Sequence, residues 1–294
     1  MILVTGATGT IGREVFRRLA AVGERPRAFV RDARTARARL GDTVEHVVGD
    51  LDRPESLEAA LAGVDRVFLL TRQSSRQPQQ ERNVIDAAAR SDVRRLVKLS
   101  VFRADDRSPL QIARQHRDTE RAVERSGLAY THVRPVFLMQ NLLGMVHDGA
   151  IRTAAGDGRV AMVDARDVAA VAVAALTSRR HDGQTYTLTG PQSPSFDEVA
   201  ERLSEQTGTP IRHLPVAPED VRNALERAGV ERWFAQDMAT LHRMLAVGYE
   251  DLVTDDVRTA TGTAPGTLAE FARDFADHLT GSTPAVEAPD RSGR

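Results

Sequence analysis

The sequence predicts an α/β fold: a doubly wound parallel sheet with helices on both faces and a small, partly helical C-terminal lobe. Three observations predict it. Short apolar runs alternate with helical periods through the first half of the 294 residues. Gly6, Gly9 and Gly12 lie between the first apolar run and the first helical period. The second half is less regular and richer in helical signal. Alternating β and α with buried strands implies right-handed crossovers and layers of helix on each side of the sheet.

Ile2 to Val4 reads as a buried strand, and Ile11, Val15, Phe16 and Leu19 fall on one face of the helix that follows. A glycine turn between the two lets backbone amides and the positive end of a helix dipole meet a diphosphate. Gly6 permits the tight turn, Gly9 the approach of a ligand, and Gly12 close helix packing. This is a Rossmann-type arrangement, although its GxxGxxG spacing departs from the usual GxGxxG. A tight turn with no ligand is the alternative.

The remaining elements follow in order. Strands are expected at 27–31, 44–48, 66–71, 96–100 and 130–134, with helices at 34–40, 54–61, 79–90 and 112–126 between them. Pro54 suits a first helical turn, and Gly127 a left-handed C-cap. The expected sheet order is 3-2-1-4-5-6, extended by a seventh strand at 185–188. A short strand is expected at 160–163 and helices at 164–176, 196–206, 218–228, 231–245 and 267–279. Asp164 and Asp167 resemble an N-cap and a first-turn acid. Expected boundaries are 1–155 for the nucleotide-binding domain, 156–280 for the region completing the sheet and forming a substrate lobe, and 281–294 for a disordered tail.

Composition excludes several classes. A net charge of −1 and a pI of about 6.7 give no footprint for nucleic acid. No apolar run is long enough to span a membrane, and the chain enters its first strand without a basic leader, so no signal peptide is expected. Without cysteine there is no disulfide or thiolate chemistry, which fits a cytoplasmic protein. The histidines show no HxH or HExxH spacing, so no metal is expected. Lys98 is the sole lysine.

In such folds ligands lie across the carboxyl ends of the strands. Candidate dinucleotide contacts are therefore Gly6, Thr8, Gly9, Thr10 and Ile11 at the diphosphate. Arg31, nineteen residues past Gly12, stands where an arginine binds a 2′-phosphate. It favours NADP(H), with NAD(H) possible; a solvated surface arginine beside Asp32 is the alternative. Asp50 and Leu51 flank adenine, unless Asp50 is only a turn residue. Thr71, Ser100, Val101 and Phe137 follow later strands along the cofactor. Phe102, Phe137, Met139, Met145, Trp233 and Phe234 are candidates for an apolar pocket.

Several stretches carry a more selective resemblance. Gly6-Ala7-Thr8-Gly9-x-x-Gly12, Val48-Gly49-Asp50-Leu51, and the run from Ser126-Gly127-Leu128 to Arg134-Pro135 resemble the NmrA-like atypical short-chain dehydrogenases/reductases. Phe137-x-Met139-x-Asn141-Leu142 and the run from Gly156-Asp157-Gly158-Arg159 to Asp167-Val168-Ala169 continue the match. The second half is most similar to ergot-alkaloid dehydrogenases of festuclavine type and their bacterial relatives. The resemblance implies an NAD(P)-binding domain with a substrate lobe. The family holds quinone, isoflavone and iminium reductases, and redox-sensing regulators without turnover.

The Tyr-x-x-x-Lys pair of standard short-chain dehydrogenases is absent: Arg134, Gly190 and Val253 follow Tyr130, Tyr186 and Tyr249. Where isoflavone-reductase relatives carry a lysine, this chain has His116. His116 is thus the candidate proton donor or nicotinamide-ribose partner, with Ser100 nearby; simple packing is the alternative. Weak acid machinery favours acceptors that are already electron-poor. The expectation is an NADP(H)-dependent reductase of an aromatic or polycyclic small molecule such as a quinone, iminium or activated enone, monomeric or homodimeric. The rivals are a cofactor-sensing regulator and a cofactor-dependent isomerase or epimerase.

Overall fold

The structure, a computed structural model, describes residues 1–281; of the tail expected at 281–294, all but Gly281 lies outside the described residues. Its main sheet is seven-stranded and parallel, its strands lying side by side in the order His46–Val48, Pro26–Val30, Ile2–Val4, Arg66–Leu69, Arg95–Leu99, Ala129–Pro135 and Gln184–Leu188. The elements run β1 (Ile2–Val4), α1 (Thr10–Ala21), β2 (Pro26–Val30), α2 (Ala33–Leu40), β3 (His46–Val48), α3 (Glu55–Leu61), β4 (Arg66–Leu69), α4 (Gln77–Ala89), β5 (Arg95–Leu99), α5 (Gln111–Arg125) and β6 (Ala129–Pro135). After a 3-10 helix, Met139–Gly144, come β7 (Val146–His147), β8 (Ala150–Thr153), α6 (Ala165–Thr177) and β9 (Gln184–Leu188). Then follow α7 (Phe196–Thr207), β10 (Arg212–Pro215), α8 (Pro218–Arg227), α9 (Arg232–Leu245), α10 (Asp256–Thr261), α11 (Leu268–Asp274) and α12 (Ala276–Leu279).

Strand pleating sorts the core. Ile2, Val4, Ala28, Val30, Phe68, Val97 and Leu99 face α1 and α6. Their neighbours Leu3, Phe29, Val67, Leu69 and Leu96 face α3, α4 and α5. Both faces are therefore apolar, as a buried parallel sheet requires. A separate core gathers Met139, Ile151, Met162, Phe196, Leu203, Leu245 and Phe271 beside a small sheet of order β10-β8-β7.

The structure departs from expectation in four places. Residues 160–163 form no strand. Their amides go to different irregular partners: Val160 N–H to Pro194, Ala161 to Glu250 and Val163 to Phe137, so no ladder develops. The expected helix over 267–279 breaks at Phe275 (φ −116°, ψ 20°), whose ring packs on Phe271 and under Arg166. The hairpin β7–β8 was not expected. Its turn is Asp148-Gly149, both at positive φ, a dipeptide that signals such hairpins. Helix α10 was also unexpected. Among the described residues no helix is long and apolar enough to cross a membrane.

Asp164 caps α6, accepting from the Arg166 amide and the Gln140 side chain. Asp167 instead accepts from Gly266 N–H at 2.8 Å, fixing the entry to α11.

Candidate cofactor and active site

The glycine turn lies at the carboxyl end of β1. Thr5 Oγ1 donates to Leu70 O at 2.8 Å and accepts from Leu70 N–H at 2.9 Å, tying this turn to the end of β4. Gly6 sits at φ +60°, and a Cβ there would stand 2.8 Å from both Leu70 O and Leu70 Cγ. A Cβ on Gly12 would lie 2.1 Å from Gly6 O. Gly12 therefore lets α1 close on the turn itself rather than on the strand. Gly9 differs: it is exposed, and a Cβ would meet only Gly6 O, at 3.4 Å. Nothing inside the protein explains why Gly9 lacks a side chain. An approaching diphosphate would, and the unpaired amides at the start of the 12-residue α1 face the same space. Thr8 and Thr10 flank this opening, while the Ile11 side chain is core, leaving only its backbone for a ligand.

Arg31 follows β2, is exposed, and makes no ion pair or hydrogen bond among the described residues. Asp32 does not neutralise it. Both Asp32 oxygens cap α2, accepting from Arg34 N–H, Thr35 N–H and Thr35 Oγ1. Arg39 of α2 reaches Thr8 O at 3.5 Å, setting a second guanidinium beside the turn. Asp50 accepts from Asp52 N–H at 3.0 Å in a side-chain turn, and its second oxygen has no partner among the described residues. Leu51 is half-buried against the α3–α4 core.

Beneath the other half of this edge lies a buried polar network. Lys98, fully buried on β5, sets Nζ 2.7 Å from Glu81 Oε2 on α4 and 3.1 Å from His116 Nδ1 on α5. Thr71 Oγ1 donates to Glu81 Oε1 at 2.8 Å. Ser100 Oγ donates to Glu120 Oε1 at 2.7 Å, and Arg134 grips the same carboxylate with two bonds. The expected site residues Thr71, Ser100 and His116 thus meet in one place, but their polar atoms are engaged with Glu81, Glu120 and Lys98. Val101 is half-buried after β5, and Phe137 packs edge-on against Phe196 at 6.1 Å.

Burial, with the Lys98 ammonium beside it, pushes the His116 pKa down to about 3. His116 is therefore a neutral imidazole near pH 7 and has no imidazolium proton to release, contrary to the proton-donor expectation. Burial opposes ionisation of Glu120, but the Arg134 bonds prevail and hold it at about 2. Burial likewise lowers His132 to about 4. Glu120, Glu124 and His132 cluster closely enough to hold a metal ion. Yet Glu120 already accepts from Ser100, Arg134 and Arg117, so the cluster is an ion-pair network.

These neutral histidines make stability pH-dependent. In the unfolded chain both titrate near the ordinary 6.5, whereas folded they stay neutral to about 3 and 4. Stability is thus full above pH 6.5 and falls as acid protonates the unfolded state first. Each group costs about 1.4 kcal/mol per pH unit, so both cost about 4 kcal/mol at pH 5. Thermal melts should drop by about 10 °C between pH 7 and pH 5, and His116→Gln should flatten that dependence. An unchanged slope would show that the imidazole is not buried neutral.

A glycine turn opening at a topological switch point, with an arginine after β2, fits a dinucleotide. The NAD(P)H-binding family matches residues 6–179. The protein belongs to this family. A relative in Xenophilus azovorans, named NAD(P)H azoreductase, is 40% identical over 93% of this chain and 97% of its own. Festuclavine dehydrogenase of Aspergillus fumigatus is 29% identical over 74% of this chain and 77% of its own. The structure of the Escherichia coli NADPH-dependent quinone oxidoreductase complexed with NADPH superposes with a TM-score of 0.83 at 28% identity, covering 94% of this chain and 99% of that one. The NmrA-like resemblance and the Rossmann-type fold therefore stand.

Lys98, Glu81, Glu120 and Arg134 were not among the expected site residues. Only the singularity of Lys98 among 40 basic residues hinted at a special place for it. The partners of that lysine come from α4 and α5, and no spacing in the sequence announces them.

Proposed function

We propose that this NAD(P)H-binding protein is a reductase of electron-poor aromatic or polycyclic acceptors, namely quinones, azo compounds, iminium ions or activated enones. The observation that carries this reading is the exposed Gly9 over unpaired α1 amides. The likeness to a relative named for azo reduction supports the acceptor class. When bound, NAD(P)H supplies the hydride. The chain's own task is to hold and orient. The unpaired amides of residues 10–12 receive the diphosphate, Arg31 and Arg39 offer charge near the ribose, and Asp50 and Leu51 border adenine. Ser100, fixed by Glu120, and the strand ends at Val101 and Phe137 face the reacting half. An acceptor already poor in electrons demands mainly this orientation and the exclusion of water.

We further propose a preference for NADP(H), because Arg31 is unpaired while Asp32 is committed to its helix. A chain without cysteine suits a reducing compartment, and we place the protein in the cytoplasm. Steady-state oxidation of both cofactors against a quinone and an azo dye tests the whole reading. Arg31→Ala should raise KM for NADPH by about tenfold or more and leave NADH within about twofold, as expected for one charge-assisted contact. Equal losses for both cofactors would remove the 2′-phosphate assignment. A wild type that binds NADPH tightly yet oxidises it with no acceptor would favour the regulator instead.

A further inference from the structure

The loop after α9 carries a carboxyl group that the site described above does not use. Glu250 is 6% exposed, and its Oε2 is enclosed with no hydrogen-bond partner. Its backbone is fixed, since its carbonyl accepts from Ala161 N–H and from Leu252 N–H, both at 3.1 Å. Residue 161 belongs to the segment that continues to Val163, which bonds Phe137 just past β6. On the other side, the Tyr249 ring meets Phe102 edge-on at 5.6 Å, and Phe102 follows β5 by three residues. Arg103 lies over both rings, at 4.9 and 4.7 Å. It does so at φ +48°, an uncommon conformation for a side chain of this size. Residues 249–250 thus tie together the segments leaving β5 and β6, at the carboxyl edge where the reacting half of a dinucleotide lies.

A buried carboxyl without a partner is unfavourable unless it has a task. We propose that Glu250 is the proton donor to the acceptor. This inference rests on the reductase reading above. An azo acceptor shows the chemistry. As one nitrogen takes up hydride, the π pair moves to the other nitrogen. The Glu250 O–H bond then breaks, and its proton forms the second N–H bond. The carboxylate regains a proton from water. The net change consumes one NADPH and one proton and yields a hydrazo compound and NADP⁺. Burial pushes the Glu250 carboxyl up to about 7, partly opposed by Arg103, so a large share is protonated at neutral pH. The groups that face it are Arg103 and Tyr249, whose own phenol lies near Ser108 and Asp105.

The test uses two acceptors. An azo dye needs a proton with its hydride; a triarylmethyl cation needs hydride alone. Glu250→Gln should lower the azo-to-cation rate ratio by about a hundredfold, and Glu250→Asp should restore part of it. The wild-type azo rate should fall as pH rises through about 7, and that limb should vanish in E250Q. In the cofactor-free protein, the infrared band of a protonated carboxyl, absent from E250Q, should disappear over the same range. An unchanged ratio, an unchanged pH limb or a carboxyl already ionised at pH 5 would each overturn the assignment and leave the reductase reading intact. If the wild type reduces neither acceptor, the reductase reading itself fails, and this one with it.

Discussion

Gly12→Ala is expected to destabilise the protein by about 3–5 kcal/mol and to abolish cofactor binding. The added methyl would stand 2.1 Å from Gly6 O and 2.7 Å from Gly6 C. Both are backbone atoms of a turn that cannot retreat. Gly6 sits at φ +60°, and Leu70 lies directly behind it. Thr5 locks that contact through bonds to Leu70 N and O. Relief requires α1 to move away, yet Val15, Phe16 and Leu19 are packed into the core it shares with α6. Gly9→Ala is the matched control. Its methyl meets only Gly6 O at 3.4 Å, so the fold should survive within about 1 kcal/mol. NADPH affinity should nevertheless fall by about tenfold or more, because the methyl occupies the diphosphate's approach. Thermal melts and cofactor titration of both variants separate the two effects. A Gly9→Ala protein that binds NADPH normally would displace the ligand from this turn.

Lys98→Met should cost about 3–5 kcal/mol, lowering the melting temperature by about 6–15 °C. Lys98 is 0% exposed and Glu81 1% exposed, so neither charge reaches water. Burial disfavours the Glu81 carboxylate, and the adjacent ammonium holds its pKa below the ordinary range. Removing that ammonium leaves a buried anion supported by hydrogen bonds from Thr71, Gln77 and Thr119 but by no paired cation. The penalty is then the solvation the carboxylate cannot recover. Adding Glu81→Gln should return most of the loss, because an amide keeps those hydrogen bonds without the charge. A double variant no more stable than Lys98→Met would show that the pair does not act through its charges. Since Lys98 also holds His116 and the Leu99 carbonyl that precedes Ser100, the single variant should turn over more slowly even where it remains folded.

The two halves of the site were legible in the sequence to different degrees. The diphosphate turn is local. Gly6, Gly9 and Gly12 lie within seven consecutive residues, and their spacing already implies which needs positive φ and which needs close packing. The strand order followed from alternating β and α signals and the handedness of crossovers. The place of Arg31 after β2 was found by counting from the turn. Residues 160–163 misled because apolar content marks burial but not pairing, and their amides found scattered partners instead. His116 was singled out by its place before the Ser126-Gly127-Leu128 stretch, and the structure sets it beside Lys98. Its chemistry was misjudged, because a pKa depends on burial and on Lys98, a neighbour eighteen residues away on another element.

The sequence by itself determined the parallel sheet, its order, the glycine turn and the arginine after β2, because each depends on neighbours a few residues apart or on chain handedness. Only the tertiary structure decided that Lys98 is locked to Glu81, that His116 is neutral, and that Glu250 is brought to the edge beside Phe102. Those facts depend on which helices and loops meet across the sheet, and on the loss of water when they do.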